Sequence, residues 1–196
     1  MGEARAFDFF GGQRSYVGPR FLTMGLGLGF SSIAGYSGVS GSPSFGFDLS
    51  VGHEFSEELS LDFVYKFSLV GLTSNNPLDI TQTIDSTFIF HSQILRILYR
   101  YAAYNVQPYV FAGFGIYEFS SVDSKTGMDF AANMQIPLGA GVLAFVYENR
   151  LSLKAGIDWH ILLGENQDLA VRNLLGVQKI SFDVYSLMFT LTWHVF

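Results

Sequence analysis

The residues able to do chemistry are few, and their positions follow a rule. Asp48, Glu54, Asp62, Lys66, Arg96, Arg100, Lys154 and Asp158 all fall at even positions, where their odd neighbours are mostly apolar. Four acids set against four bases make a balanced group. Charges withdrawn from water must be paired or hydrogen-bonded. A buried ion-pair network is therefore the reading taken, and a gate or proton path is the functional alternative. His53, His91, His160 and His194 are the available imidazole bases. Asp85-Ser86, at a loop–strand junction, is an Asp-Ser pair to weigh with them, and His91 could lie near Ser86. Nucleophilic catalysis needs the base within hydrogen-bond reach of the nucleophile, and an isolated Asp-Ser also serves as a turn or strand cap. There is no metal-ligand spacing, phosphate-cradling glycine loop or cofactor box. No cofactor or metal is expected. Cysteine is absent, which excludes disulfides and thiolate sites.

The elements that must position these residues are strands. Of 196 residues, 49% are hydrophobic and only 14% are charged, which excludes disorder. A net charge of −6 and the lack of a basic stretch exclude nucleic acid as a partner. Yet no eighteen consecutive residues are apolar, so there is no candidate membrane helix. The apolar residues alternate instead. Across 20–31, 44–55, 59–70 and 151–162, one parity is apolar at 22 of 24 positions and the other at 4 of 24, glycine not counted. A helix, with its period of 3.6, cannot produce this. A hydrophobic chain built on period two is expected to be a closed β-barrel in a membrane. A soluble eight-stranded, lipocalin-like barrel is the alternative. It would need a charge-rich outer face, whereas the small-polar face here holds too many Gly and Ser and too few Lys and Glu.

Four less regular strands are expected over 86–102, 107–119, 130–146 and 180–196. In the first, Phe88, Phe90 and His91 depart from the parity of Leu95, Ile97, Tyr99 and Tyr101, which suggests a bulge. Eight strands then alternate short turns (56–58, 103–106, 147–150) with longer loops (32–43, 71–85, 120–129, 163–179). The expected fold is an all-β, transmembrane, antiparallel up-and-down barrel over 19–196, preceded by a flexible periplasmic lead-in at 1–18. Tyr99, Tyr101, Tyr104, Tyr109, Trp159, Trp193 and Phe55 are candidates for the interfacial girdle. His53, near one end of an apolar face, is explained by interfacial hydrogen bonding. A barrel must be exported, and Met1-Gly2-Glu3-Ala4 does not read as a signal peptide. A removed leader, with Met1 in its place, is expected.

Pro108–Tyr117 (PYVFAGFGIY), Ile136–Gly141 (IPLGAG) and the terminal Phe196 resemble the small eight-stranded outer-membrane barrels of the OmpA/OmpX/OmpW type. The resemblance spans about 19–196, and its motifs are generic to the superfamily. It implies a bacterial outer-membrane location with both termini periplasmic. Outer-membrane lipid, lipopolysaccharide and the barrel-assembly machinery are the implied partners. Trp193 and Phe196 are the candidate assembly signal. The usual signal has an aromatic residue two places before the end, where this chain has His194. Lipid-A-modifying members give two enzymatic comparisons. A deacylase-like His-x-Ser is absent, and a palmitoyltransferase-like loop His is missing from 32–43. The expected function is non-enzymatic: a membrane anchor, scaffold or adhesion surface working through its long loops. Leu169, Val171, Leu174 and Leu175 are apolar residues in an exposed loop and form the candidate partner contact. Transport of a small or hydrophobic solute, as in OmpW-type barrels, is the alternative, and lipid A modification ranks below both.

Overall fold

The computed structural model describes residues 22–35, 39–75, 83–101, 105–121, 133–147, 150–163 and 182–195. Nine strand segments are present: β1 (Leu22–Gly35), β2 (Val39–Ser42), β3 (Ser44–Glu54), β4 (Leu59–Asn75), β5 (Thr83–Arg100), β6 (Val106–Ser121), β7 (Asn133–Tyr147), β8 (Leu151–Leu163) and β9 (Phe182–Val195). β2 and β3 both pair with β1 on one side and β4 on the other, so together they form one wall position. Each later strand pairs antiparallel with the next. β9 returns to β1 from Leu22↔Val195 to Gly35↔Phe182. The result is a closed, all-β, eight-stranded antiparallel barrel, which leaves no sheet edge unpaired.

The alternation decides which face goes where. Leu26, Leu28 and Phe30 of β1 point outward beside Leu49 and Phe45 of β3, and all are exposed. Gly25, Gly27 and Gly29 of the same strand point inward and are buried. The apolar band continues around the wall through Phe63, Leu95, Phe114, Val142, Ile157 and Phe189, with Ile157 60% exposed. This is the reverse of a lipocalin-like barrel, whose apolar face lines the cavity.

The short turns close tightly. Phe55 N donates to Leu59 O at 2.9 Å, and Leu59 N donates to Ser56 Oγ at 3.1 Å. Tyr101 N donates to Pro108 O at 3.0 Å, and His194 N to Arg150 O at 2.8 Å. The start of β1 and the end of β9 lie at this same turn end of the barrel.

Three expectations need correction. Residues 32–35 and 39–42 are strand, not loop, because the ladder of β1 with β9 and that of β2 with β4 continue past the expected strand ends. The expected bulge in 86–102 is absent: β5 pairs with β4 without a shift from Thr83 to Tyr99. Phe88 and Phe90 simply face inward. The irregularities lie elsewhere. One extra residue, Pro43, sits between Ser42↔Gly71 and Gly46↔Ser68, and a second irregularity lies between Phe145 and Tyr147. Proline has no N–H for a ladder, so a bulge is where it fits. Nearby, Gly71 N donates to Ser44 Oγ at 3.3 Å. Finally, Tyr109 is not a girdle residue. It points into the lumen and is 8% exposed. Tyr104 and the lead-in at 1–18 lie outside the described residues.

Candidate functional site

The lumen is where the charged residues meet. All eight of the even-position charges point inward and are buried. At the turn end, Arg100 Nη1 contacts Glu54 Oε1 at 2.7 Å, and Arg100 Nε donates to Glu57 O at 2.7 Å. His194 bridges Glu54 Oε1, at 3.1 Å from Nδ1, and Ser152 Oγ, at 2.8 Å from Nε2. Higher up, Asp62 Oδ2 lies 3.5 Å from Arg96 Nε and 3.8 Å from Lys154 Nζ. These are charge contacts longer than good hydrogen bonds. The Arg96 guanidinium also sits 4.7 Å from the centroid of the Phe111 ring. Asp48 differs from the other acids. Its Oδ2 accepts from Thr190 Oγ1 at 3.5 Å, and among the described residues no cation forms an ion pair with it.

Toward the loop end the contacts form a directed chain. Lys66 Nζ donates to Asp158 Oδ2 at 3.1 Å and lies 3.2 Å from His160 Nε2. An ammonium can only donate, so Nε2 accepts and the ring proton is on Nδ1. Nδ1 then donates to Gln135 Oε1 at 3.0 Å. The Gln135 amide nitrogen in turn donates to Ser92 Oγ and to Ile116 O. Beside this chain, Ser31 Oγ meets both Ser68 Oγ and Ser186 Oγ at 2.8 Å.

Aromatic side chains fill what the polar groups leave. Phe90 packs against Phe119 at 4.9 Å between centroids and against His160 at 5.7 Å, edge to face. Phe88, Phe90, Tyr117 and Phe119 are each no more than 2% exposed. Lower down, Leu98, Tyr109, Phe111, Leu143 and Phe145 form one cluster from β5, β6 and β7. Sequence reading misses this aromatic filling because it takes Phe88 and Phe90 as a break of parity rather than as inward residues. The unbroken parity from Phe88 to Arg100 was the available signal.

The lipid-type face carries its own polar pairs near the loop end of the band. Tyr65 Oη and His91 Nδ1 are 2.7 Å apart. Trp159 stacks on Tyr185 at 5.9 Å and donates from Nε1 to Asp183 Oδ2 at 3.0 Å. His53 packs edge to face on Phe55 at the turn end. Phe55, Tyr99, Tyr101, Trp159 and Trp193 are outward and exposed. His91 pairs with Tyr65 across the outer face, and the Ser86 side chain lies outside the described residues. Phe196 and the loop residues Leu169, Val171, Leu174 and Leu175 lie outside the described residues. Among the described residues no group of three or more His, Asp or Glu side chains is placed to hold a metal ion.

No protein-family model matches the chain, and no curated protein matches it in sequence. Solved structures do match. Neisserial surface protein A superposes with a TM-score of 0.67 at 13% identity, covering 90% of this chain and 99% of that one. Ail of Yersinia pestis, solved in complex with the heparin analogue sucrose octasulfate, gives 0.55 at 13% identity, covering 88% and 96%. The outer membrane protein OprG of Pseudomonas aeruginosa gives 0.54 at 13% identity, covering 91% and 99%. At such identities the likeness concerns the fold, and the chain has the fold of the small eight-stranded outer-membrane β-barrels.

Proposed function

We propose that this chain is an integral protein of the bacterial outer membrane whose barrel is a closed anchor. Its long loops, at the end opposite the turns, form a scaffold or adhesion surface for a partner. Both termini lie in the periplasm, and assembly runs through the barrel-assembly machinery. The observation that carries the reading is the filled lumen. Lys66, Arg96, Arg100 and Lys154 are each at most 8% exposed, and each lies within 4 Å of a carboxylate. Eight strands leave an interior just wide enough for side chains, and transport through it would require those ion pairs to part. With nothing passing along the axis, the loops are left as the working surface. A net charge of −6 favours a partner that is not a polyanion. Planar-bilayer recording is the test. The wild-type barrel should show little steady conductance, and large stable openings would favour transport. Leu174→Ser with Leu175→Ser should weaken capture of partners from the cell surface without changing barrel folding.

A further inference from the structure

The outer wall is interrupted by a groove near the loop end of the apolar band. Phe30, Ile157, Tyr185 and Leu187 form its walls, Ser32 and Pro43 lie among its lining, and its volume is about 410 Å³. That size lies within the ~300–1,000 Å³ of small-ligand sites. The cause is local. Ser32 is paired with Tyr185 in the ladder, and it follows Phe30 on the same face, so a small residue stands among large ones. Pro43, the extra residue of the bulge, borders the notch on the other side. A serine in such a place would present a bare hydroxyl to lipid. Here Ser32 Oγ donates to Gly41 O at 3.1 Å, which turns the hydroxyl into the wall and leaves an apolar lining.

We infer that this groove holds one acyl chain of a bilayer lipid, seated against the barrel rather than passing along it. The inference rests on the membrane-barrel reading. Continuity identifies the occupant. The groove's walls belong to the exposed apolar band, with Phe30 56% and Ile157 60% exposed, so it opens onto hydrocarbon. Tyr185 ties it to the Trp159–Asp183 pair, whose polar edge suits the headgroup level. A chain lying in the groove covers apolar surface on three sides, whereas a chain on the convex wall elsewhere covers it on one.

The chain's two tryptophans provide the measurement. Trp159 stacks on a groove wall, and Trp193 lies at the turn end of the barrel. The probe is a phosphatidylcholine brominated on one acyl chain, added stepwise to the full chain in micelles of a non-quenching detergent. Trp193→Phe and Trp159→Phe separate the two signals. Trp159 quenching should saturate near one lipid per barrel, while Trp193 quenching should only follow the lipid fraction of the micelle. Ser32→Leu, which fills the notch, and Phe30→Ala, which removes a wall but keeps the Ser32 hydrogen bond, should each abolish the one-per-barrel phase. Equal, unsaturated quenching of both tryptophans overturns the site. So does a one-per-barrel phase that survives in whichever variant folds. A detergent monomer bound in its place would show as quenching that starts only after that detergent is diluted, and this too overturns a lipid site. If neither tryptophan is quenched at any lipid fraction, the membrane-barrel reading fails, and that result differs from the others.

Discussion

The Tyr109 hydroxyl occupies the space that a Cβ on Gly156 would need, and it also closes on Gly141. The two glycines pair with each other across β7 and β8, and together they make a slot in the lumen wall. The large side chain comes from β6, the strand next to β7. Phe111 repeats the relation two residues on, with its ring over Gly139. Inward glycine on one strand thus makes room for an inward aromatic on another.

Gly156→Ala should therefore destabilise the barrel. The methyl group would meet a stiff phenol already packed in the Leu98–Phe145 cluster. Overpacking of this kind costs about 1–3 kcal/mol. Tyr109→Phe removes the obstructing oxygen, so the double variant should recover most of the loss. Urea unfolding in lipid vesicles checks this, and strictly additive losses would mean the two residues do not share the space.

Asp62 and Asp48 should respond differently to the same substitution. Asp62 is within 4 Å of both Arg96 and Lys154, whereas Asp48 is held by the Thr190 hydroxyl and, among the described residues, its Oδ1 has no hydrogen-bond partner. Asp62→Asn leaves two buried cations short of their counter-charge. Removing one partner of a buried pair typically costs about 3–5 kcal/mol, and water in the lumen would reduce that. Asp48→Asn removes a charge that no cation within 4 Å balances among the described residues, so its effect should be much smaller. Equal midpoints for the two variants would contradict the pairing described.

Much of this was legible in the sequence, because a barrel wall makes parity visible. Leu22, Met24, Leu26, Leu28 and Phe30 alternate with Thr23, Gly25, Gly27 and Gly29, and only one arrangement of those faces suits a membrane. Strand ends were less legible. Ser32, Ser42 and Pro43 have loop-like composition yet stand in or between strands, since backbone pairing with β4 and β9 is indifferent to side-chain type. Residues whose type fits either face were the hardest. Phe88, Phe90 and Tyr109 suit lipid or lumen equally, and packing inside the lumen, such as Phe90 against Phe119 and His160 and Tyr109 against the glycines, decides between them. Which acid meets which base was not legible at all. Lys66 faces Asp48 in the ladder but pairs with Asp158 on β8, across the lumen.

The outer wall supplies the last prediction, which depends on depth. Leu26 is 47% exposed, stands midway along β1 and faces Leu49 and Leu191 on its two neighbours. Tyr99 is also 47% exposed, but it lies beside the turn at 55–58, opposite Leu59. An arginine on the lipid face of a barrel costs about 2–4 kcal/mol at the bilayer midplane and about 0–1 kcal/mol near the interface. Leu26→Arg should therefore lower the unfolding midpoint in vesicles strongly, and Tyr99→Arg should lower it little. The two positions are equally exposed, so a wall surrounded by water would give no such difference. Equal effects of the two substitutions would show that the apolar band does not face hydrocarbon.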